Sequence, residues 1–411
     1  MQPVTLTPPR SRALEFGIYR DGDNNLDASQ SNALGQALQV SAEDSSIQFT
    51  VEDTTGLRAV DGDVVEGKTH TDQFTIAGGQ IGDPQIGKTH EMSDPNNLAQ
   101  FVKRTLDNAE ASGAKQAWIE LVDHGGGDGG GLMTHDGKLM SMPDIAKAIA
   151  DGERMHAQEH PEDANRNIDG VVANQCLMST MGFADALSRA GVKFLAASPE
   201  TMISPGVPTT VAKDIAQHLD DPNGMAKSVV RDVMRTHYET PVGGIGPAAA
   251  FDVLDLNATK IKAAETAIKT FNDDASRDAR ASGIARDALR DDIAGVRGMV
   301  RFPEATPDMP WNADRPAMAV YNAVAADGSL DGTLRADARA ASSAVDALVL
   351  AHKESAHFAP FDGSSYRDAV GPTIHAPVSH KQIDPWAPKV SETDNAFYKS
   401  VDQGNFVGAI A

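Results

Sequence analysis

The segment Trp118–Gly125, WIELVDHG, is an apolar run that ends on Asp-His-Gly. A near-continuous apolar run is typical of a strand that is buried on both faces of a parallel sheet. The segment Val171–Met178, VVANQCLM, has the same design and contains Cys176, the only cysteine of the 411 residues. Sites in parallel sheets form at the carboxyl ends of the strands. The sequence therefore predicts that His124 and Cys176 lie at neighbouring strand ends.

Strand and helix patterns alternate on both sides of these two segments. Apolar or alternating runs predict strands at residues 13–19, 46–52, 116–122, 168–173 and 192–197. Helical spacing and end signals predict helices near residues 29–40, 95–112, 143–150 and 178–190. Such alternation indicates an α/β fold with a mostly parallel sheet flanked by helices.

The pattern changes in the second half of the chain. Residues 1–12 are expected to form a flexible N-terminus, and residues 13–220 an α/β domain with a Gly-rich hairpin insertion at 55–92. Residues 221–411 are expected to form a helix-rich C-terminal region that completes the fold. From residue 208 onward, helices are predicted at 208–219, 224–238, 257–275 and 333–353, with a short late strand at 373–374.

Composition argues against several partners. The formal net charge of −22 disfavours nucleic acid and anionic membrane, because both require clustered Lys and Arg. No run of about 18 apolar residues is present, so no membrane span is predicted. The first residues lack the apolar core of a signal peptide. The expected location is therefore the cytoplasm, or outside the cell by a route without a recognisable signal peptide.

Cys176 and His124 can form a nucleophile–base pair. A thiolate attacks a carbonyl, and a nearby imidazole can accept the thiol proton and later protonate the leaving amine. His124 precedes Cys176 by 52 residues, and caspase-type enzymes have their histidine roughly 50 residues before the nucleophile. The backbone N–H groups of Gly125 and Cys176 are the expected oxyanion donors. A helix beginning near Met178 is expected to lower the pKa of the thiol. A buried structural cysteine beside an unrelated loop histidine is the alternative.

Three sequence blocks resemble the clostripain family of cysteine peptidases. They are Gly17–Asp27, Asp123–Gly127 and Asn174–Met178. Four further blocks agree in the same order along the chain: Met92–Phe101, Ala197–Thr201, Phe251–Leu256 and Gly371–Pro377. The resemblance implies a caspase-like fold of clan CD. It also implies a cysteine endopeptidase that hydrolyses a peptide or protein substrate through a thioacyl-enzyme intermediate, with Cys176 as nucleophile and His124 as general acid/base.

Asn174 departs from the family pattern. Family members usually carry an aspartate two residues before the nucleophile, and that acid helps to bind Arg or Lys of the substrate. Glu200 or Asp123 can partly substitute for it. The candidate substrate-binding residues are therefore Asn174, Glu200 and Asp123, and the preferred residue before the scissile bond stays open.

Two further expectations come from the resemblance alone. Related enzymes often mature by internal cleavage, and Arg154 and Arg166 in the polar stretch 151–167 are the candidate self-cleavage sites. Some related enzymes depend on Ca²⁺, although no cofactor and no metal site is predicted here. The stretch Asp21–Asp27 begins like a Ca²⁺ loop but has Leu26 where a glycine is needed. It is interpreted as a strand-to-helix turn near the edge of the active site.

Other motifs suggest other functions. Residues 62–69 and 82–89 both match the phosphate-binding pattern G-x-x-x-x-G-K-[ST]. A strand pattern follows the first copy and no helix directly follows the second, so a nucleotide hydrolase is a remote alternative. His156 and His160 are spaced as neighbours on one helix face and are predicted to be exposed. A catalytically inactive caspase-like scaffold that binds a partner is the main alternative to an enzyme.

Overall fold

A computed structural model defines the architecture of the chain. It describes residues 12–30, 32–60, 63–133, 137–202, 206–235, 249–298, 313–355, 366, 369–378 and 395–411. The expected flexible N-terminus, apart from Arg12, lies outside the described residues. No helix within the described ranges is long and apolar enough to cross a membrane.

The strands, in chain order, are β1 (Leu14–Gly22), β2 (Ile47–Val60), β3 (Asp63–Ala77), β4 (Gln80–Ile81), β5 (Gln85–Lys88), β6 (Gln116–Val122), β7 (Gly131–Met133), β8 (Leu139–Met140), β9 (Gly170–Asn174), β10 (Phe194–Ala197), β11 (Ala250–Asp255), β12 (Asp314–Pro316), β13 (Val349–Glu354) and β14 (Thr373–His375). The helices are α1 (Asp27–Gln30), α2 (Asn32–Glu43), α3 (Pro95–Ser112), α4 (Met142–Glu159), α5 (Met181–Arg189), α6 (Val211–Gln217), α7 (Pro222–Val233), α8 (Ala258–Ala281), α9 (Gly283–Gly295), α10 (Ala317–Ala326), α11 (Gly332–Asp346), α12 (Ala396–Ser400) and α13 (Gln403–Ile410).

The centre of the fold is a mixed sheet whose middle strands are parallel. Among the described residues the strand order is β13-β11-β10-β9-β6-β1-β2-β3-β4, and β5 also pairs with β3. The neighbours from β10 to β2 are parallel, whereas both edges are antiparallel. The predicted α/β fold with a mostly parallel, helix-flanked sheet is confirmed. The strands β11 and β13 come from the region after residue 221 and extend this same sheet.

Both faces of the sheet are covered, which explains the apolar composition of its middle strands. In β6, Ile119 and Leu121 pack in one core with helices α3, α4, α5 and α8 to α11. The alternate residues Trp118 and Val122 pack in a second core with α2, α6 and α7. Glu120 lies on the second face and is fully buried, so a carboxylate occupies the interior close to the strand end.

One prediction about secondary structure is wrong, and one helix was not predicted at all. The helix expected at 333–353 ends at Asp346, and Val349–Glu354 is a strand that pairs antiparallel with β11. The segment after Gly283 forms the helix α9, which was not predicted. The apolar run 348–351 continues the helical spacing of α11, and sheet pairing with a distant strand overrides that local pattern.

The hairpin interpretation of this insertion agrees with the structure, whereas the remote phosphate-binding alternative does not. Strand β3 runs through the end of the first copy and on to Ala77, and strand β5 occupies the second copy. A phosphate-binding loop needs a strand before it and a helix directly after it. Both copies instead form the antiparallel hairpin that extends β2, which begins at Ile47.

Candidate active site

Cys176 and His124 follow adjacent parallel strands. Asn174, the last residue of β9, pairs with Val122, the last residue of β6. Cys176 lies two residues beyond the first of these partners, and His124 lies two residues beyond the second. Equivalent positions after paired strands lie on the same edge of the sheet. The fold therefore brings the two predicted residues to one edge, at the carboxyl ends of the strands.

The two loops that carry these residues are in direct contact. The side-chain amide of Gln175 donates to the backbone oxygen of His124 at 3.0 Å. A Cβ placed on Gly125 would lie 2.2 Å from the backbone oxygen of Cys176. Because real Cβ atoms do not approach an oxygen that closely, only glycine at position 125 permits this packing. The histidine loop is thereby held against the cysteine loop.

The imidazole of His124 has an orienting partner that sequence reasoning missed. Its Nε2 lies 2.8 Å from Oδ1 of Asn25. An amide oxygen only accepts hydrogen bonds, so Nε2 carries the proton and Nδ1 is the basic nitrogen of the neutral ring. Burial lowers the pKa of His124, which favours that neutral form. The turn at 21–27 therefore lies beside the histidine, as the sequence predicts.

That turn is stabilised by its own short polar side chains. The backbone N–H of Asp23 donates to Oδ1 of Asp21 at 2.9 Å, and that of Leu26 donates to Oδ1 of Asn24 at 2.9 Å. Both are Asx turns, in which a side chain replaces a backbone acceptor. They place Asn25 at the position from which it reaches the imidazole.

Cys176 is a half-buried, protonated thiol. Its Sγ lies 3.5 Å from the backbone oxygen of Met202 and accepts from the Met202 N–H at 3.3 Å. Burial raises the pKa of Cys176 to about 11, although the bond from Met202 opposes the rise. The expected lowering of this pKa is therefore wrong. The helix α5 begins at Met181 and not near Met178, and the bond from Met202 is the only contact that lowers the pKa of the thiol.

The residues after Cys176 form a tight turn. Leu177 has φ 70°, in the left-handed region that costs a side-chain-bearing residue about 1–2 kcal/mol. Two backbone bonds hold the turn: Leu177 N–H donates to the Glu200 oxygen at 3.1 Å, and Ser179 N–H to the Ser198 oxygen at 2.9 Å. The segment 198–202 is thus fixed across the thiol.

The two backbone N–H groups expected to bind an oxyanion are available as donors. Within the described residues, the backbone N–H of Gly125 and that of Cys176 donate to no internal acceptor. Polar N–H groups without an internal partner at a strand end are what an oxyanion requires.

Asn174 is buried, and its side-chain amide has internal partners. Its Nδ2 donates to Glu120 Oε1 at 2.9 Å, and its Oδ1 accepts from the Val207 N–H at 2.9 Å. Gly206 has φ 79°, and a Cβ there would lie 2.1 Å from the Asn174 Oδ1. Burial raises the pKa of Glu120 to about 7, opposed by the Asn174 bond. The amide therefore joins two strands to the loop at 206–207.

The other two predicted substrate-binding acids also have internal partners. Asp123 is buried, and its Oδ1 accepts from the His124 N–H at 2.6 Å and from Asn24 Nδ2 at 2.8 Å. Burial, with Asp21 close by, raises its pKa well above the usual range. Glu200 is buried and its Oε1 is bound by Arg297. Asp123 thus braces the histidine loop, and an internal guanidinium neutralises Glu200.

Comparison with solved structures gives the fold family. The chain matches a secreted C11 cysteine protease from Bacteroides thetaiotaomicron, bound to an irreversible peptide inhibitor, with TM-score 0.62 and 13% identity. That alignment covers 95% of this chain and 99% of the other. The chain has the fold of a C11 cysteine protease. An inactive zymogen C11 protease from Parabacteroides distasonis matches with TM-score 0.63 and 16% identity, over 96% of this chain and 99% of that one.

The low identities mean that these matches establish the C11 fold alone. No protein-family model matches the sequence. No curated protein matches it either. The roles of individual residues therefore have to be inferred from the geometry of this chain.

The glycine-rich loop of this C11 fold is held by a buried polar cluster. Asp128 is bound through Oδ2 by the hydroxyl of Tyr398, and its N–H lies 3.4 Å from Asp314 Oδ2. His375 Nδ1 lies 2.8 Å from Asp314 Oδ1, and its N–H donates to the Tyr398 oxygen at 3.0 Å. Sequence reasoning missed this cluster, because its members are far apart along the chain.

The two candidate self-cleavage residues differ in secondary structure. Arg154 lies within α4, on its exposed side, and its Nη1 lies 2.9 Å from Asp151 Oδ1. Arg166 lies in the irregular segment before β9, where its Nη1 donates to the Ala114 oxygen at 2.7 Å. A protease binds substrate in an extended form, which a helix cannot supply. Arg166 is thus the better placed of the two.

The prediction that His156 and His160 are exposed is wrong. His156 is fully buried between α3 and α4, and His160 is half-buried at the end of α4. Both are surrounded by carboxylates, and with Asp107 they form a group of three residues that can hold a metal ion. The helix α4 extends to Glu159, so the polar stretch expected from residue 151 is helical over its first half.

Proposed function

We propose that this chain is a cysteine endopeptidase, with Cys176 as nucleophile and His124 as general acid/base. The observation that carries the proposal is the placement of these residues at equivalent positions after the paired strands β9 and β6. The C11 fold supports it at the level of fold. The orienting bond from Asn25 to the imidazole supports it at the level of the site.

In the proposed mechanism, the thiol proton moves to Nδ1 of His124 as Sγ attacks the carbonyl carbon of the substrate. The S–C bond forms, and the carbonyl oxygen becomes an oxyanion that accepts from the N–H groups of Gly125 and Cys176. As the C–N bond breaks, the imidazolium gives its proton to the leaving amine. Water then hydrolyses the thioester, with His124 accepting one of its protons, and the thiol is regenerated.

The substrate proposed is a peptide or protein chain. The Bacteroides C11 enzyme is described as a secreted protein bound to a peptide inhibitor, which is compatible with this substrate class and with export. The residue that the proposed enzyme prefers before the scissile bond depends on which acids a substrate side chain can reach. The side-chain amide of Asn174 is already hydrogen-bonded inside the protein, so Glu200 is the acid that a basic substrate side chain would reach. That substrate side chain first has to displace Arg297 from Glu200.

The resting state is proposed to be latent. The thiol lies against Met202, burial raises its pKa to about 11, and Glu200 is paired. Substrate binding or cleavage after Arg166 would have to release the segment 198–202. A permanently inactive scaffold is the second candidate, and the same buried thiol favours it.

The test compares the wild type with Cys176→Ala and His124→Ala on a fluorogenic peptide library. His218→Ala is the matched control, because this half-buried histidine directly follows α6 and its Nδ1 lies 2.8 Å from the backbone oxygen of Asp214. Hydrolysis is expected to vanish in the first two variants and to persist in the control. Hydrolysis that survives in Cys176→Ala would refute the mechanism. A wild type with no hydrolysis and no labelling by a peptidyl chloromethyl ketone would instead identify a scaffold.

A further inference from the structure

A cluster of histidines and carboxylates lies where α3 packs on α4. The two helices approach closely because α4 has glycine at position 152, where a Cβ would lie 2.6 Å from the Ala99 oxygen of α3. This contact brings Asp107 of α3 against His156 and His160, which end α4. Donor atoms of these three residues all lie within 4.8 Å of one another.

The distances among the donor atoms suit a tetrahedral metal site. Asp107 Oδ1 lies 2.8 Å from His156 Nδ1 and 3.5 Å from His160 Nε2. Zinc bonds to nitrogen and oxygen are about 2.0–2.2 Å long, so neighbouring ligand atoms of a tetrahedron lie roughly 3.3 Å apart. Small side-chain shifts would bring the three donors to that spacing. The other oxygen of Asp107 already accepts from Lys103 at 2.7 Å, so Oδ1 alone faces the rings.

Carboxylates also lie behind both rings. His160 Nδ1 is 2.5 Å from Glu110 Oε2. A metal-binding histidine usually donates its second ring N–H to such a carboxylate, which fixes its tautomer and orientation. His156 has Asp163 Oδ2 at 3.6 Å from its Nε2. The ring of His160 is thus positioned to offer Nε2 to the centre and Nδ1 to an outer acid, whereas Nε2 of His156 faces an Asp163 oxygen that Arg166 also binds.

His156 supplies an independent observation. The residue is 0% exposed, and among the described residues its Nε2 has no hydrogen-bond partner. A buried ring nitrogen without a partner is costly unless something else satisfies the ring. A metal on Nδ1 would fix the proton on Nε2 and strengthen the pull of Asp163 on it. The two rings are stacked with centroids 4.8 Å apart, so they already share one orientation.

We propose that Asp107, His156 and His160 bind a divalent transition metal ion, with Zn²⁺ as the preferred ion. Two imidazoles and one carboxylate are borderline donors that suit zinc, whereas Ca²⁺ and Mg²⁺ prefer oxygen ligands. His160 is 29% exposed, so an ion can enter from solvent and a water molecule can complete the tetrahedron. The site ties the end of α4, and with it the turn at Pro161–Asp163, to α3.

This metal site is independent of the proposed peptidase chemistry. It is therefore tested in full-length, untagged Cys176→Ala protein, from which the only thiol that could bind zinc is absent. Metal is first removed by dialysis against a chelator. Zn²⁺ is then titrated calorimetrically, and Co²⁺ binding is followed by its visible absorption bands.

One equivalent of Zn²⁺ is expected to bind and to raise the Tm, with the Co²⁺ spectrum of a four-coordinate site that lacks a thiolate band. His160→Gln is expected to abolish the binding. Glu110→Gln, which removes the outer acid, is expected to weaken it about 10- to 100-fold. His70→Gln is the matched control, because this half-buried histidine lies beside Asp72 on β3, and it should bind as the parent does.

Equal zinc binding in the parent and in His160→Gln would overturn the proposal, as would no binding by a parent of normal secondary structure. The metal-free Tm of each variant is measured first, so that loss of binding can be distinguished from loss of the fold. Weak binding that responds equally to all three substitutions would show surface histidines only, and would also contradict the site.

Discussion

The reactivity of the single thiol is the most direct quantitative test of this site. Burial raises the pKa of Cys176 to about 11, whereas an ordinary cysteine has a pKa of about 8.5. At pH 7.5 the thiolate fraction is therefore roughly 300-fold smaller than that of an ordinary cysteine. A more basic thiolate is intrinsically more nucleophilic, by about tenfold over this difference. The net expectation is alkylation roughly 30-fold slower than that of an exposed cysteine.

The assay is the rate of iodoacetamide modification of the intact protein, followed by mass spectrometry from pH 7.0 to 9.5. Because Cys176 is the only cysteine, every added mass reports this site, and Cys176→Ala gives the blank. The rate is expected to rise by about tenfold per pH unit without a plateau. His124→Ala should leave the profile unchanged, since the imidazole is bonded to Asn25 and not to the thiol. A plateau below pH 8.5 that disappears in His124→Ala would show a thiolate–imidazolium pair and refute the reasoning.

Two substitutions test other contacts of the site, and a third tests the buried ion pairs of a histidine on β13. Asn25→Ala removes the partner of the imidazole and should lower kcat/KM about tenfold or more, with unchanged Tm. Unchanged kinetics would show that Asn25 does not orient the imidazole. Arg297→Ala frees Glu200 and should raise kcat/KM for Arg or Lys substrates about tenfold, equivalent to about 1.4 kcal/mol. An equal effect on neutral substrates would contradict a specificity role for Glu200. His352→Gln should cost about 2 kcal/mol below pH 6, measured by urea unfolding.

The pH dependence of that last effect follows from the direction of the shift. Burial alone would lower the pKa of His352, but Asp252 and Glu354 outweigh it, so the folded pKa is raised. A raised pKa adds stability that is fully present below the unfolded value of about 6.5. That stability is lost as the pH rises through the folded pKa. The difference between the wild type and His352→Gln should therefore shrink as the pH rises above about 6.5, and a difference that grew would contradict the pairing.

Local pattern was sufficient to predict the middle of the fold. The runs at 116–122 and 168–173 are apolar because helices cover both faces of the sheet. Burial on both faces can therefore be recognised from the amino-acid sequence alone. The strand β13 was missed for the opposite reason. Its residues are all half-buried at a sheet edge, so they lack a two-residue alternation, and only pairing with β11 defines them.

The site was predictable where chemistry depends on rare residue types. A single cysteine and a histidine after a strand are conspicuous in a sequence, whereas Asn25 is one of several small polar residues in a turn. Its role depends on a contact 99 residues away. Arg297 likewise reaches Glu200 across 97 residues. The burial of His156 depends on the packing of two helices, which a polar local sequence conceals.

The meaning of Asn174, which stands where the clostripain family usually has an aspartate, changes once its neighbours in the fold are known. From the sequence, an amide in place of an acid removes a charge from a substrate pocket. In the fold, that amide is a donor to Glu120 and an acceptor from Val207. An aspartate there would lose the donor and bring a second carboxylate to Glu120, whose pKa burial already raises to about 7. The amide is therefore matched to a buried acid on the neighbouring strand, and the proposed contact of a basic substrate with Glu200 is the part of the specificity that Arg297→Ala tests.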